Sequence, residues 1–369
     1  MTSHDAEYLE LEANGRMLRF PAVWLRDNCP CAECLDPVSG QKLTDITELP
    51  AVLAVRAAGY TGESVTVTYA PDGHRSVFLR SWLAAHALDD HDGDERTEDE
   101  TELWLPAGLD RLPEASWPRY LGEPADRARA LAAVLRWGFV LLRDVPPEPG
   151  MVLKVAASFG FVRETNYGRL FDVRVEPRPG NLAFTSRRIL PHTDNPYRDP
   201  APTVQLLHCL RAAHDGGQTG LVDGFAAAAE LRATDRATFD LIAGTPVPFG
   251  YQDKSTELRA SQPLIQLSPR GRIRAVRFNS RSARPLRRPY PEVVAFYPAY
   301  RRWAELLARP ERQLNLRLAP GDCLIFDNTR IMHARTAFSV TGGRHLQGCY
   351  ADLDGLASTL AVLRREETL

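Results

Sequence analysis

The chain reads as an α+β protein: a double-stranded β-helix, or jelly-roll, core with flanking helices, preceded by a small β-rich unit. Three observations predict this. Strand-forming runs dominate residues 180–350; helical runs lie before or between them instead of alternating one for one; and a strongly acidic stretch sets apart a β-rich N-terminal segment. The 369 residues divide accordingly into 1–88, an acidic connector at 89–102 and a core unit at 103–369.

Each element has a local reason. Residues 1–88 hold two β-rich runs, MLRFPAVWLRDNC and SVTVTYAPDGHRSVFL, the second turning at PDG. The connector DDHDGDERTEDETE carries nine acidic residues in fourteen, a composition that stays solvated. Beyond it, DRARALAAVLRWG spaces Ala, Leu and Val as a helix, and Gly138 stops it before the strand FVLLRDV. MVLKVAASFG reads as a second helix and FAAAAELRATDRATFDLIAG as a third. TVQLLHCL, LIQLSPRGRIRAVRF and QLNLRLAPGDCLIFDN read as strands, with hairpin turns at Pro269–Gly271 and Pro320–Gly321. The helices are expected on one side of the β-core. The C-terminal ASTLAVLRREETL has the pattern of an amphipathic helix.

Composition excludes several classes. With 44% apolar residues and a net charge of −2, the chain can build a sizeable core and has no global pull toward polyanions. No run is apolar enough for a membrane span, and the acidic N-terminus lacks a leader-like apolar stretch, so a cytoplasmic location is expected. Residues 270–288 carry eight arginines in nineteen, yet prolines and strand residues interrupt them and no stacked aromatics accompany them. They read as a solvated face that partly lines a site, not as a nucleic-acid surface. No glycine-rich phosphate loop occurs.

The chemistry lies in three clusters. In PHTDNPYRDP, His192 and Asp194 stand at i and i+2, so at a strand end both side chains point to one face and can reach one ion. His333, in IFDNTRIMHARTAF, is a candidate third ligand; two histidines and a carboxylate suit non-haem Fe(II), with open positions for a co-substrate and dioxygen. Arg344, eleven residues on, could grip a carboxylate with a bidentate fork. In CPCAEC, Cys29, Cys31 and Cys34 offer three thiolates to a soft ion, with His74 and His86 both available as the fourth ligand of a tetrahedral zinc site. Cys209, Cys323 and Cys349 read as buried core residues, and His208 and His345 as structural.

At this point a family resemblance emerges. WLRDNCPCAECLDP, ETNYG, PHTDNPY, VQLLHC, VDGF, VRFNSRSA, PGDCLIFDNTRIMHAR and RHLQGCYADLD occur in the order found in the γ-butyrobetaine dioxygenase group of Fe(II)- and 2-oxoglutarate-dependent dioxygenases, within the taurine dioxygenase superfamily. The resemblance runs through nearly the whole chain. It implies that His192, Asp194 and His333 hold iron, that Arg344 binds the distal carboxylate of 2-oxoglutarate, and that His74 completes a structural zinc site with Cys29, Cys31 and Cys34. Four protein ligands leave zinc no open position, so that ion supports folding.

The resemblance also implies a substrate pocket. Tyr167, Phe171, Phe184 and Tyr350 match an aromatic cage for a quaternary ammonium, which donates no hydrogen bonds and must be held by ring faces. The animal enzymes carry tryptophan and tyrosine where this chain has Phe171 and Phe184. Asn181 and Asn279 match the amides that meet the substrate carboxylate, and Arg281 stands where the animal enzymes have a small residue. The implied reaction couples oxidative decarboxylation of 2-oxoglutarate, with O2 and with ascorbate as reductant, to hydroxylation of an unactivated C–H bond. The implied substrate is a trimethylammonium zwitterion: γ-butyrobetaine, giving L-carnitine, then 2-trimethylaminoethylphosphonate, then trimethyllysine. The competing readings are a silent quaternary-ammonium binding module and a metal carrier; the intact His192, Asp194, His333 and Arg344 set speaks against the first. A homodimer is the expected assembly.

Overall fold

The computed structural model describes residues 6–13, 15–88, 101–175, 184–339 and 343–366. It falls into two compact units, 1–98 and 99–369. Residues 89–100, most of the expected acidic connector, lie outside the described residues.

The first unit opens with the hairpin β1 (Tyr8–Ala13) and β2 (Arg16–Pro21). The chain then turns into a short helix, α1 (Ala22–Asp27). That corrects the expected strand through MLRFPAVWLRDNC. Pro21, with its fixed φ, opens the helix, and Ala22 and Leu25 bury one face three residues apart. A three-stranded antiparallel sheet follows from β3 (Ala54–Thr61), β4 (Ser64–Ala70) and β5 (Arg75–Leu79), with β4 in the middle and α2 (Arg80–Ala85) after it. Val65, Val67 and Tyr69 alternate into the core against Leu11, Phe20, Phe78 and Leu83, the period-2 pattern of a half-buried strand.

The second unit begins with β6 (Glu114–Ser116), α3 (Trp117–Gly122), α4 (Pro124–Trp137), β7 (Phe139–Arg143), α5 (Met151–Ala157), β8 (Phe171–Arg174) and β9 (Ile189–His192). Next come β10 (Val204–Arg211), β11 (Thr219–Asp223), α6 (Gly224–Thr234), α7 (Arg236–Gly244), β12 (Pro246–Gln252) and β13 (Glu257–Pro263). It ends with β14 (Ile265–Leu267), β15 (Ile273–Val276), α8 (Tyr290–Leu307), β16 (Leu314–Leu316), β17 (Cys323–Asp327), β18 (Ile331–Arg335), β19 (His345–Ala351) and α9 (Leu353–Glu366).

Two sheets form the core. One has the order β6-β7-β17-β10-β19-β8 and the other β16-β11-β18-β9, and every pairing except β6 with β7 is antiparallel. Alternation along the strands separates two environments. On β10, Val204 and Leu206 face the helices while Gln205 and Leu207 face a cavity; on β19, Cys349 and Ala351 face the helices while Leu346 and Tyr350 face that cavity. The cavity therefore lies where the two sheets face each other, lined from β8, β10 and β19 on one and from β9, β11 and β18 on the other.

Several expectations hold: α4 ends at Gly138, whose φ of +82° no other side chain adopts easily, and Pro269–Gly271 turns the β14–β15 hairpin. Cys209, Cys323 and Cys349 are fully buried. Others need correcting. The expected third helix is two, because Asp235 ends α6 and its side chain caps α7 by accepting from the Thr238 amide. Pro320–Gly321 is no hairpin turn: β16 pairs with β11 and β17 with β10 and β7, so the turn carries the chain between sheets. The helices do not share one side either. α3, α4, α5 and α9 share a core with the six-stranded sheet, while α6, α7 and α8 pack with the β12–β13 and β14–β15 hairpins.

Candidate active site

The two histidines of the candidate metal centre are cross-strand partners. His192 is the last residue of β9, and the β9–β18 register sets it opposite His333, with ring centroids 4.1 Å apart. Asp194 lies beyond the strand end, on a turn shaped by Asn195 at φ +53°. Asn328 clamps that turn: it accepts from the Asp194 amide at 2.8 Å and donates to the Asp194 carbonyl at 3.0 Å. His192 Nε2 and His333 Nε2 stand 3.4 and 3.9 Å from Asp194 Oδ1, and one donor atom from each of the three lies within 4.8 Å of the others.

The protonation pattern suits a metal. His192 Nδ1 sits 3.0 Å from the Leu190 carbonyl, which can only accept, so Nδ1 is the donor there and Nε2 is the nitrogen turned toward Asp194 Oδ1. Burial, reinforced by His192, pushes the His333 imidazole down to about 3, so it is neutral. Burial alone would raise the Asp194 carboxyl, but His333, the His192 hydrogen bond and the Tyr350 hydroxyl hold it well below the usual carboxylate range. Two imidazoles and one carboxylate, gathered at a cavity wall, are the donor set that Fe(II) takes in non-haem oxygenases.

The cavity, about 450 Å³, gathers the residues singled out in the sequence for iron, co-substrate and substrate, Asn181 apart: Tyr167, Phe171, Phe184, His192, Asp194, Asn279, Arg281, His333, Arg344 and Tyr350 all line it. Asn181 lies outside the described residues. Arg344 is 6% exposed and has no ion-pair partner among the described residues. Burial lowers it to about 10, which leaves it charged at neutral pH. A buried cation open to the cavity is suited to an anionic ligand such as the distal carboxylate of 2-oxoglutarate. Arg335 also lines the cavity and donates to the carbonyls of Thr185 and Arg187, tying down the segment that carries Phe184.

Aromatic rings build another wall. Phe171 lies 5.1 Å from Tyr350 and 6.2 Å from Tyr167, centroid to centroid. Sequence reasoning missed two members, Tyr197 and Tyr251. They stack 5.2 Å apart, Tyr251 meets Tyr167 edge-on at 5.7 Å, and the Tyr197 and Tyr167 hydroxyls are 3.0 Å apart. Tyr197 was in view within PHTDNPY; Tyr251, on β12, carries no local signal. Asn279 is buried, donating to the Thr193 carbonyl at 3.2 Å and accepting from Arg281 Nε at 3.3 Å. Arg281 and Arg284 are exposed and line the same cavity, so they form its cationic rim.

The first unit holds its own cluster. Cys29, Cys31 and Cys34 place Sγ at 3.2, 3.7 and 3.7 Å from His74 Nε2. All four donor atoms fall within 4.8 Å of one another, a set suited to tetrahedral Zn(II). Arg26 donates to Cys34 Sγ at 3.2 Å and to Asp72 at 3.0 Å, and Asp72 also accepts from the His74 amide. His86, the other candidate, stacks on Trp82 and is not in the cluster. His345 pairs with Asp172 at 2.6 Å, and His208 is fully buried.

Known dioxygenases resemble this chain in sequence and fold. The family model described as taurine catabolism dioxygenase TauD, TfdA family matches residues 109–350. The chain belongs to the TauD/TfdA dioxygenase family. It is an Fe(II)- and 2-oxoglutarate-dependent dioxygenase. A second model, gamma-butyrobetaine hydroxylase-like, N-terminal, matches residues 2–84. A gamma-butyrobetaine dioxygenase from Pseudomonas sp. (strain AK-1) is 35% identical over 356 residues, 96% of this chain and 92% of that protein. The gamma-butyrobetaine dioxygenase of Homo sapiens is 30% identical, covering 94% and 91%. A trimethyllysine dioxygenase from Meyerozyma guilliermondii is 29% identical, covering 98% and 95%. Among solved structures, an asparagine oxygenase superposes with a TM-score of 0.50 at 19% identity, over 64% of this chain and 82% of that one, which supports the dioxygenase fold. No helix among the described residues is long and apolar enough to cross a membrane.

Proposed function

We propose that this dioxygenase hydroxylates a small trimethylammonium zwitterion, with γ-butyrobetaine, giving L-carnitine, as its substrate. The observation that carries the reading is the single cavity in which an aromatic wall, the His192–Asp194–His333 cluster and the buried Arg344 meet. The 35% identity to the Pseudomonas gamma-butyrobetaine dioxygenase supports it.

In this reading His192, Asp194 and His333 hold iron, and Arg344 holds the distal carboxylate of 2-oxoglutarate. When bound, iron supplies the oxidative chemistry: O2 is spent on 2-oxoglutarate, giving succinate and CO2, and on one substrate C–H bond. The chain does the rest. Tyr167, Phe171, Phe184, Tyr197, Tyr251 and Tyr350 present ring faces to the ammonium head, each contact contributing about 0.5–2 kcal/mol. Asn279, with Asn181, meets the opposite, anionic end. The packed rings exclude water around the reacting carbon. Cys29, Cys31, Cys34 and His74 hold structural zinc in residues 1–88, 89–102 act as connector, and 103–369 form the dioxygenase. The enzyme works in the cytoplasm as a homodimer, with ascorbate as reductant.

Arg281 favours a second substrate, 2-trimethylaminoethylphosphonate, because a guanidinium at the rim suits a more highly charged head than a carboxylate. Competition between the two substrates in wild type and Arg281→Ala tests this. If γ-butyrobetaine is the substrate, the variant keeps most of its turnover; a selective collapse of phosphonate turnover marks the phosphonate as the natural substrate.

A further inference from the structure

One polar contact joins the aromatic wall to the metal cluster. Tyr350, buried on β19, lines the cavity beside Phe171, and its hydroxyl reaches the metal cluster. It donates to Asp194 Oδ2 at 2.9 Å. The other carboxylate oxygen, Oδ1, faces His192 Nε2 and His333 Nε2. Asn328 holds the Asp194 backbone from both its amide and its carbonyl. Asp194 is thus fixed in its backbone by Asn328 and in its side chain by Tyr350 at Oδ2, with the histidine pair around Oδ1.

We infer that Tyr350 is a positioning residue for the metal-ligating carboxylate, holding Oδ2 away so that Asp194 offers one oxygen and leaves the remaining metal positions to the co-substrate and O2. This rests on the proposed iron and cage roles. A carboxylate free to swing can engage a metal through both oxygens and occupy a position the reaction needs; a hydrogen bond of this length from a buried phenol prevents it. Because the same side chain supplies ring surface to the ammonium site, displacement of Tyr350 by a badly fitting ligand would misplace Asp194. The neighbouring ring behaves differently. Tyr197 donates at 2.7 Å to Asn195, not to the ligand itself.

The test separates hydroxyl from ring. Tyr350→Phe keeps the ring face and removes the donor. Co(II) titrated under nitrogen into full-length protein that keeps zinc in its Cys29/Cys31/Cys34/His74 cluster but is stripped of iron, followed by visible absorption, reads affinity and coordination at the His192–Asp194–His333 site without turnover. Tyr350→Phe is expected to bind Co(II) roughly 10–100-fold more weakly with an altered spectrum, the range for loss of a hydrogen bond to a metal ligand. Its KM for γ-butyrobetaine should stay within about threefold, since the cation meets the ring face. Tyr197→Phe, which removes a cage hydroxyl not bonded to Asp194, is expected to keep wild-type Co(II) affinity. Wild-type affinity and spectrum in Tyr350→Phe would overturn the assignment, and so would an equal loss in Tyr197→Phe. Asp194→Ala serves as the control on the underlying reading: Co(II) binding unchanged in that variant means the metal site itself lies elsewhere.

Discussion

His192 and His333 face each other across the β9–β18 pair, their rings 4.1 Å apart, and both turn Nε2 toward the same oxygen of Asp194. Cross-strand pairing therefore does what sequence distance conceals: residues 141 positions apart become neighbours. With the proposed iron site, replacing His192 with Ala leaves the β9–β18 pairing but removes one ligand. Turnover of 2-oxoglutarate should fall at least roughly 100-fold, as metal affinity drops. Thermal melting of the iron-free, zinc-loaded variant should match iron-free, zinc-loaded wild type, and wild-type succinate output from the variant with Fe(II) would remove His192 from the metal site.

Arg344 should be specific for the co-substrate. Lysine keeps the charge but not the planar fork, and a lost charged hydrogen bond costs about 1.5–3 kcal/mol. Arg344→Lys should raise the KM for 2-oxoglutarate roughly 10–100-fold and leave that for the ammonium substrate nearly unchanged. Equal rises in both would point to a general distortion of the cavity.

Gly348 tests the aromatic wall from behind. A Cβ there would stand 2.4 Å from Phe171 Cε2, so the ring can lie across β19 only because residue 348 lacks a side chain. Gly348→Ala should displace Phe171, cost about 1–3 kcal/mol from overpacking, and raise the KM for γ-butyrobetaine. Thermal denaturation with steady-state kinetics reads both effects; unchanged stability and KM would show that the wall is looser than this packing implies.

The thiolate cluster makes a separate prediction. Metal analysis should find one zinc per chain, and Cys31→Ser should lose it. Because thiolate–zinc binding is linked to folding, residues 1–88 should then become sensitive to limited proteolysis while 103–369 stay resistant. A zinc-free variant with wild-type proteolytic resistance would leave the cluster no role in stability.

Much of this was legible in the sequence, for physical reasons that differ by element. His192, Asp194, His333, Arg344 and the thiolate trio carry chemistry in residue type and spacing, β4 shows itself by period-2 alternation, and β10 by a short apolar run. What stayed hidden depends on tertiary context. The stretch that forms α8 contains Pro298, which locally reads as a breaker, yet Phe296, Ala299, Trp303 and Leu306 bury one face along eighteen residues. Pro320–Gly321 has ordinary turn chemistry whether it closes a hairpin or changes sheets; only pairing partners decide. Tyr251 joins the wall through the β12–β13 hairpin, whose position no local pattern announces. The role of the Tyr350 hydroxyl likewise needs Asp194 beside it.

The most direct measurement is succinate formed per hydroxylated product by purified enzyme with Fe(II), ascorbate and 2-oxoglutarate, with γ-butyrobetaine, 2-trimethylaminoethylphosphonate and trimethyllysine side by side. The predicted result is stoichiometric succinate and L-carnitine from γ-butyrobetaine, outpacing the other two. Succinate formation that no trimethylammonium compound stimulates would contradict the proposed substrate class.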